Sequence, residues 1–255
     1  SESERKFALD YKIRSAHVTD MSTFNSLLPP DSPIRFVSGT ASMTADIVLQ
    51  HDDADGWLSL DSRGMRAEAD TQTVKGDLKA DLRLVDGEPA EMYFDIEGSE
   101  INLTGVRVEG ESEQFDRESW SANLTLTRGE VTLSEPPVMA LEARLGMSDS
   151  RPIVAMFQNQ DGWRPEFLAR MMTVEDIDGQ AEVYVADERI RIPLAHAVSD
   201  NIEVGAKALI GESSRDGMIY FRYKKADAVL KIKDGKRNLG IFGARDKYEQ
   251  YQLPD

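Results

Sequence analysis

The chain has 255 residues, 40% hydrophobic and 30% charged, with a mean hydropathy of −0.44. Its 46 acidic residues against 30 basic ones give a net charge of −16, which disfavours nucleic acid as a partner by long-range repulsion; the absence of cysteine excludes disulfides and thiolate chemistry and fits the cytosol and a bacterial envelope equally. No run approaches the roughly 20 apolar residues of a spanning helix, and the opening SESERKFALDYKIR lacks a signal peptide's apolar core, so the sequence is read as part of a longer protein.

Phe7, Leu9, Tyr11 and Ile13 alternate with polar neighbours, the period-2 pattern of a half-buried strand. A short helix is expected next, capped by Thr19 or Asp20, with Met21, Phe24, Leu27 and Leu28 on one face and Pro29-Pro30 ending it. Alternation resumes at Met43, Ala45, Ile47 and Leu49, then at Leu78, Ala80, Leu82 and Leu84, and at Met92, Phe94 and Ile96. It continues through Trp120, Ala122, Leu124 and Leu126, and through Met139, Leu141, Ala143 and Leu145.

Between Pro152 and Thr173 a second helical element is expected. Pro165 suits its first turn, and Phe167, Leu168, Met171 and Met172 form its apolar stripe. This insert, about 152–173, divides an amino-terminal β segment (1–150) from a carboxy-terminal one (151–255). The later strands follow from Ala181–Val185, Ile190–Leu194, Ile202–Ile210, Ile219–Tyr223 and Ala226–Ile232. Glycines at Asp55-Gly56, Asp86-Gly87, Glu97-Gly98, Arg128-Gly129, Asp216-Gly217 and Asp234-Gly235 are read as turns. The class is therefore mainly β, an antiparallel meander with two short helical elements; a sandwich, a barrel and one sheet curled lengthwise all satisfy the periodicity.

Chemistry-bearing motifs are sparse. The histidines are His17, His51 and His196, and none accompanies a G-x-S-x-G pattern. HDDADG (51–56) echoes a calcium loop at Asp53, Asp55 and Gly56, yet its first position is His51 and its twelfth is Ser62 where a bidentate glutamate is required. No dinucleotide, P-loop or zinc pattern occurs, so no catalytic residue, metal or cofactor is expected. Trp57, Trp120 and Trp163 suit either a sheet face or a sugar-stacking surface. One segment is basic: Arg222, Lys224, Lys225, Lys231, Lys233, Lys236, Arg237, Arg245 and Lys247 stand against only Asp227, Asp234 and Asp246. Such a patch suits anionic headgroups or an acidic protein partner, or serves only to guard strand edges.

The helix with its NSLLP core (25–29), the proline-rich loop and the run SGTASMTADIVL (38–49), of the form SG-x-A-x-x-x-A-D-I-x-L, resemble the AsmA-like family of bacterial envelope proteins. So does the closing run from Gly205, with its terminal Ala244, Arg245 and Tyr248. The likeness covers most of the chain in loose pieces and corresponds to the family's carboxy-terminal portion; the family's amino-terminal membrane helix is absent from this sequence. It implies an elongated, curved antiparallel sheet with a groove-like apolar face, no enzymatic activity, a periplasmic location with the parent protein anchored at the inner membrane, and a role in phospholipid transport and outer-membrane homeostasis. Under that reading Met43, Ile47, Leu82, Phe94, Leu124 and Leu141 line the lipid groove, being large and centred in strands, and Met21, Phe24, Leu27 and Leu28 cap it. The partners are then lipid or a membrane surface, with an envelope protein as a further possibility. The alternative is a carbohydrate-binding or carbohydrate-cleaving β protein, marked by a tryptophan beside two carboxylates in a cleft.

Overall fold

Alternation along the chain becomes alternation across a sheet once neighbouring strands are hydrogen bonded in register. The computed structural model describes residues 8–27, 34–50, 53–69, 72–109, 115–116, 120–150, 174–187, 189–211, 215–234 and 236–254. Its strands are β1 (Ala8–Val18), β2 (Ile34–Gln50), β3 (Asp53–Ala69), β4 (Gln72–Leu84), β5 (Asp86–Glu88), β6 (Tyr93–Asp95), β7 (Glu100–Glu109) and β8 (Phe115–Asp116). They continue as β9 (Ser121–Thr132), β10 (Val138–Asp149), β11 (Glu175–Ala186), β12 (Arg189–Val198), β13 (Ile202–Ile210), β14 (Arg215–Tyr223), β15 (Ala226–Lys233) and β16 (Lys236–Gly240).

All sixteen belong to one antiparallel sheet, and thirteen lie on a single path, β1-β2-β3-β4-β7-β9 and onward in sequence order to β16. At about 4.8 Å per step that path is on the order of 60 Å long. The small strands fill in beside it: β6 pairs with β9 at Tyr93–Asp95, beyond the stretch of β9 that pairs with β7, and β8 pairs with β7. On this path β1 has β2 as its only neighbour and β16 has β15, so the sheet is an open meander and not a barrel. The ladder between β10 and β11, from Met139↔Val185 to Asp149↔Glu175, joins the amino- and carboxy-terminal β segments into one sheet. The helical element expected at 152–173 lies outside the described residues.

Register shifts interrupt β1–β2, β2–β3, β3–β4, β4–β7, β9–β10, β11–β12 and β12–β13. Each bulge bends its strand and increases the local twist, so the long sheet is bent repeatedly along its length. Pro193 lies within the β12 irregularity, where a missing backbone donor costs no ladder bond.

Two short helices flank the sheet. The expected one is a 3-10 helix, Met21–Leu27, and its three-residue turn places Met21 and Phe24 on one side. Asp20 caps it, accepting from the Ser22 backbone N–H at 2.9 Å through its side chain. Asn25 ties it to β2: its Oδ1 accepts from the Phe36 N–H at 2.8 Å and its Nδ2 donates to the Phe36 carbonyl at 2.7 Å. Met21 is wholly buried against Ala41 and Met65, with Val18, Phe24, Phe36, Leu60, Leu78 and Leu103 around them. Of the expected cap residues, the Leu27 side chain and Leu28 lie outside the described residues. The other helix, α1 (Ala244–Gln250), packs on β14 and β15.

Four of the glycines read as turns stand inside strands: Gly56 in β3, Gly87 in β5, Gly129 in β9 and Gly217 in β14. Gly56 has φ +149, and a Cβ there would lie 2.2 Å from the Asp46 carbonyl oxygen. Close approach of two backbones, not a reversal of direction, requires that glycine. Tight hairpins form at residues with left-handed φ: at Asp234 (50°), within the expected Asp234-Gly235 turn, and at Asp187 (50°) and Lys224 (54°), which no glycine marks.

Ser62 is 1% exposed and its Oγ has no hydrogen-bond partner among the described residues. Its cross-strand neighbours are Ala41 and Leu78. Ser62→Ala is therefore expected to raise stability by about 1 kcal/mol, read as a higher urea midpoint with an unchanged slope.

Candidate functional site

Register assigns every strand residue to one of two faces. Reading across the ladder, Ala16, Met43, Leu60, Ala80, Ile101, Leu124, Leu145, Gly179, Ala197, Val204, Phe221 and Ala228 form a single cross-strand row. A parallel row runs Ala181, Ala195, Ala206, Ile219, Leu230 and Leu239. One face is thus apolar from β1 to β16.

That face is covered unevenly. Near one rim it is sealed: the 3-10 helix lies over β2 and β3, and Val106, Val108, Trp120, Met147 and Ile177 form a buried cluster. Trp120 is fixed there by its Nε1, which donates to the Asp149 carbonyl at 2.7 Å. Away from that rim Leu9, Tyr11, Leu82, Ile101, Ile190, Ile210, Ile219 and Leu239 share the same face and are 37–64% exposed. Among the described residues no second layer covers them. An exposed apolar surface of this extent far exceeds the isolated apolar residues normal on soluble proteins.

The six groove candidates fall on this face together. Met43 and Leu124 stand in the first row; Leu82 lies across from Leu58, and Ile47 across from Gly56. Phe94 is opposite Val131 and Leu141 opposite Gly129. Leu82 is exposed, and the other five are half-buried.

The opposite face is polar and carries α1. Tyr248 packs over Gly205, where a Cβ would lie 2.7 Å from the tyrosine ring, and stacks on Tyr220 with ring centroids 5.6 Å apart. Lys207 Nζ donates to the carbonyls of Tyr248 (3.1 Å) and Tyr251 (2.8 Å), closing the carboxy-terminal end of the helix. Ala244 and Tyr248, with Met218, Tyr220 and Val229, form the buried core beneath it.

Glu203, 6% exposed, is the electrostatic anchor of this packing. Its Oε1 accepts from Arg245 Nη2 and lies 3.1 Å from His196 Nε2, while Arg222 Nη2 forms an ion pair with Oε2 at 2.7 Å. Burial opposes the charge on Glu203, but the His196 contact and the two guanidinium groups outweigh it and hold the carboxyl below its ordinary value. Stability from a lowered carboxylate pKa is present above the unfolded value and is lost as pH falls through the folded one. Docking of α1 is therefore expected to weaken on acidification below about pH 4.3, the ordinary glutamate value. Near-ultraviolet circular dichroism of the stacked tyrosines follows this, and Glu203→Gln removes that dependence.

The expected basic patch is divided. Arg222 and Arg245 both pair with Glu203, and Arg245 pairs with Glu249 as well. Lys224 and Lys225 form the β14–β15 hairpin, whereas Lys233 and Lys236 face each other at the far end of β15, with Arg237 adjacent. Lys231 lies over the Tyr251 ring at 5.7 Å.

The cleft expected of a carbohydrate-cleaving protein has a partial counterpart. Trp57, on the polar face, lines a shallow depression of about 250 Å³ with Asp81, Arg83 and Glu100. Asp81 bonds Lys79 and Ser59, which hold it below the usual carboxylate range despite partial burial. Glycosidic cleavage needs a proton-donating carboxyl with a raised pKa beside an ionised one, and Asp81 fits only the ionised role. Trp163, His51 and Asp52 lie outside the described residues; Asp53 and Asp55 belong to β3, laddered to Gln50 and Val48. Among the described residues no three histidine or acidic side chains are grouped to hold a metal, and no helix is long and apolar enough to cross a membrane. Comparison of the chain with protein-family models, curated proteins and solved structures finds no match.

Proposed function

We propose that this chain is a non-enzymatic, periplasmic segment of an AsmA-like envelope protein that holds phospholipid acyl chains along its apolar sheet face, and that its parent protein is anchored at the inner membrane and supports outer-membrane homeostasis. One observation carries the reading: eight large apolar side chains on one face of an open sheet, spread from β1 to β16, remain more than a third exposed. Burial of an acyl chain against such a face is worth about 0.8 kcal/mol per methylene. A row that crosses every long strand without a charged residue offers contact along the whole sheet, so binding needs no single specific site. The residues that carry the family resemblance also have structural work here: Gly39 leaves room for Met21, Ala41 is buried against Met21, Ala45 is buried in β2, and Ala244, Arg245 and Tyr248 seat α1.

The test is organic extraction and mass spectrometry of protein purified without detergent from a bacterial host. Phospholipid recovered with the native chain, and depleted in a Leu82→Glu, Ile101→Glu, Ile219→Glu variant, is the expected result. These positions are 37–39% exposed, and the comparison counts for a variant whose circular dichroism and urea midpoint show it to be folded. Native protein free of lipid would overturn the reading.

A further inference from the structure

We infer that the corner formed by β16 and the turn after it is a docking surface for an anionic lipid bilayer. The three most exposed large hydrophobic side chains of the described residues lie there within four positions: Phe242 at 81%, Leu239 at 64% and Ile241 at 60%. Nothing in the sheet requires this. Ile241 and Phe242 follow the end of β16, outside the ladder, and their chain neighbour Gly243 begins α1 in a left-handed conformation.

The cations around these residues are equally distinctive. Lys233 and Lys236 are directly opposed across the β15–β16 ladder, a like-charge pairing that sheets disfavour. Arg237 alternates onto the same face as Leu239, and Lys247 Nζ comes within 3.5 Å of the position a Cβ on Gly240 would occupy. Elsewhere Lys12, Lys75, Lys79 and Arg128 each meet a carboxylate. Lys233, Lys236, Arg237 and Lys247 form no ion pair among the described residues. By register Arg237 shares the face of Leu239, whereas Lys233 and Lys236 project from the opposite face with Lys247, so the cations flank the apolar edge from both sides and outnumber Asp216 and Asp234 at the hairpin tip. Exposed apolar side chains flanked by unpaired cations are the chemistry of an interfacial anchor, in which the apolar tips enter the acyl boundary and the ammonium and guanidinium groups remain at the headgroups.

Charge selects the occupant. The chain carries −16 overall, so an anionic bilayer is held only where this local excess of cations faces it. A second copy docking through the same corner would bring the four cations against their own duplicates. The corner lies at the β16 edge of the apolar face, since Leu239 extends the row of Ile219 and Leu230. A bilayer seated there would meet the end of that face. The inference adds a membrane contact to the proposed lipid-holding function, but its residues at 233–247 can be altered without touching the face at β4 to β14.

Vesicle flotation tests it, with the full chain and vesicles of phosphatidylethanolamine with phosphatidylglycerol, or of phosphatidylcholine alone. The native chain is expected to float with the anionic vesicles at low salt and to lose binding as salt rises. Ile241→Ser with Phe242→Ser, and separately Lys233→Glu with Lys236→Glu, are each expected to weaken apparent affinity about tenfold or more, at roughly fivefold per cation. Lipid extracted with either variant stays at the native level, which separates failure of docking from failure of the groove. Native protein that does not float with anionic vesicles, or variants that float as the native chain does, would overturn the inference. So would a dimer in solution that Phe242→Ser abolishes, because it would give the corner to a second copy.

Discussion

Replacing Tyr248 by alanine is expected to lower the unfolding free energy by about 3–5 kcal/mol, the range for deleting a buried aromatic side chain. Tyr248 is 8% exposed, stacks on Tyr220 and occupies the space left by Gly205. Its loss opens a cavity under the helix and removes the contact that holds Ala244 against the sheet. The phenol hydroxyl contributes nothing to this, being buried without a hydrogen-bond partner among the described residues; burial, with Glu203 nearby, raises its pKa. Tyr248→Phe is therefore expected to match or exceed native stability. Urea denaturation of both variants checks the account, and equal losses in the two would contradict it.

Met21→Asp is expected to have the second large effect, on the order of 4 kcal/mol or more, because an ionised carboxylate at a fully buried position has no partner. Asp20 and Asn25 hold the 3-10 helix from either side, but its attraction to the sheet is apolar and centres on Met21. A Cβ at Gly39 would lie 3.2 Å from Met21 Cγ and 2.9 Å from Met65 Cα, so Gly39→Ala is expected to perturb the same contact from below. Thermal unfolding with protection of β2 and β3 amides from hydrogen exchange measures both. Unchanged protection in Met21→Asp would show that the cap contributes nothing to the sealed rim.

The strands were legible because their pattern is a direct consequence of pleating: Leu78, Ala80, Leu82 and Leu84 alternate in sequence and lie along one face in β4. The six groove candidates fell on one face for the same reason. Period alone does not say whether that face meets another layer, since a sandwich core and an open trough have the same alternation; that all described strands belong to one sheet and that large side chains on this face stay exposed decides it. The turns were less legible. Glycine serves both reversal of the chain and close approach of strands, so Gly56 and Gly217 read as turns yet lie in β3 and β14, where a Cβ would strike a neighbouring carbonyl at 2.2 and 2.6 Å. The hairpins at Asp187 and Lys224 carry no glycine signal, whereas the one at Asp234 was marked by Asp234-Gly235. Helix α1 was missed as a helix: in seven residues only Ala244 and Tyr248 mark its apolar side, and its seat on Gly205 joins residues distant in sequence. The Glu203 anchor is equally nonlocal, drawing His196, Arg222 and Arg245 from three elements.

The central claim is that lipid lies on one face of this sheet and not on the other. β9 presents both faces within a few residues, since Ala122, Leu124 and Leu126 alternate with Asn123 and Thr125. A photoreactive side chain placed singly at each of these five positions, in cells, followed by mass spectrometry of the cross-linked chain, reads the faces directly. Phospholipid adducts at positions 124 and 126, with none at 123 and 125 and few at 122, where Ala122 packs against the sealed cluster, is the predicted result; adducts at 123 or 125 matching those at 124, or none at position 124, would contradict it.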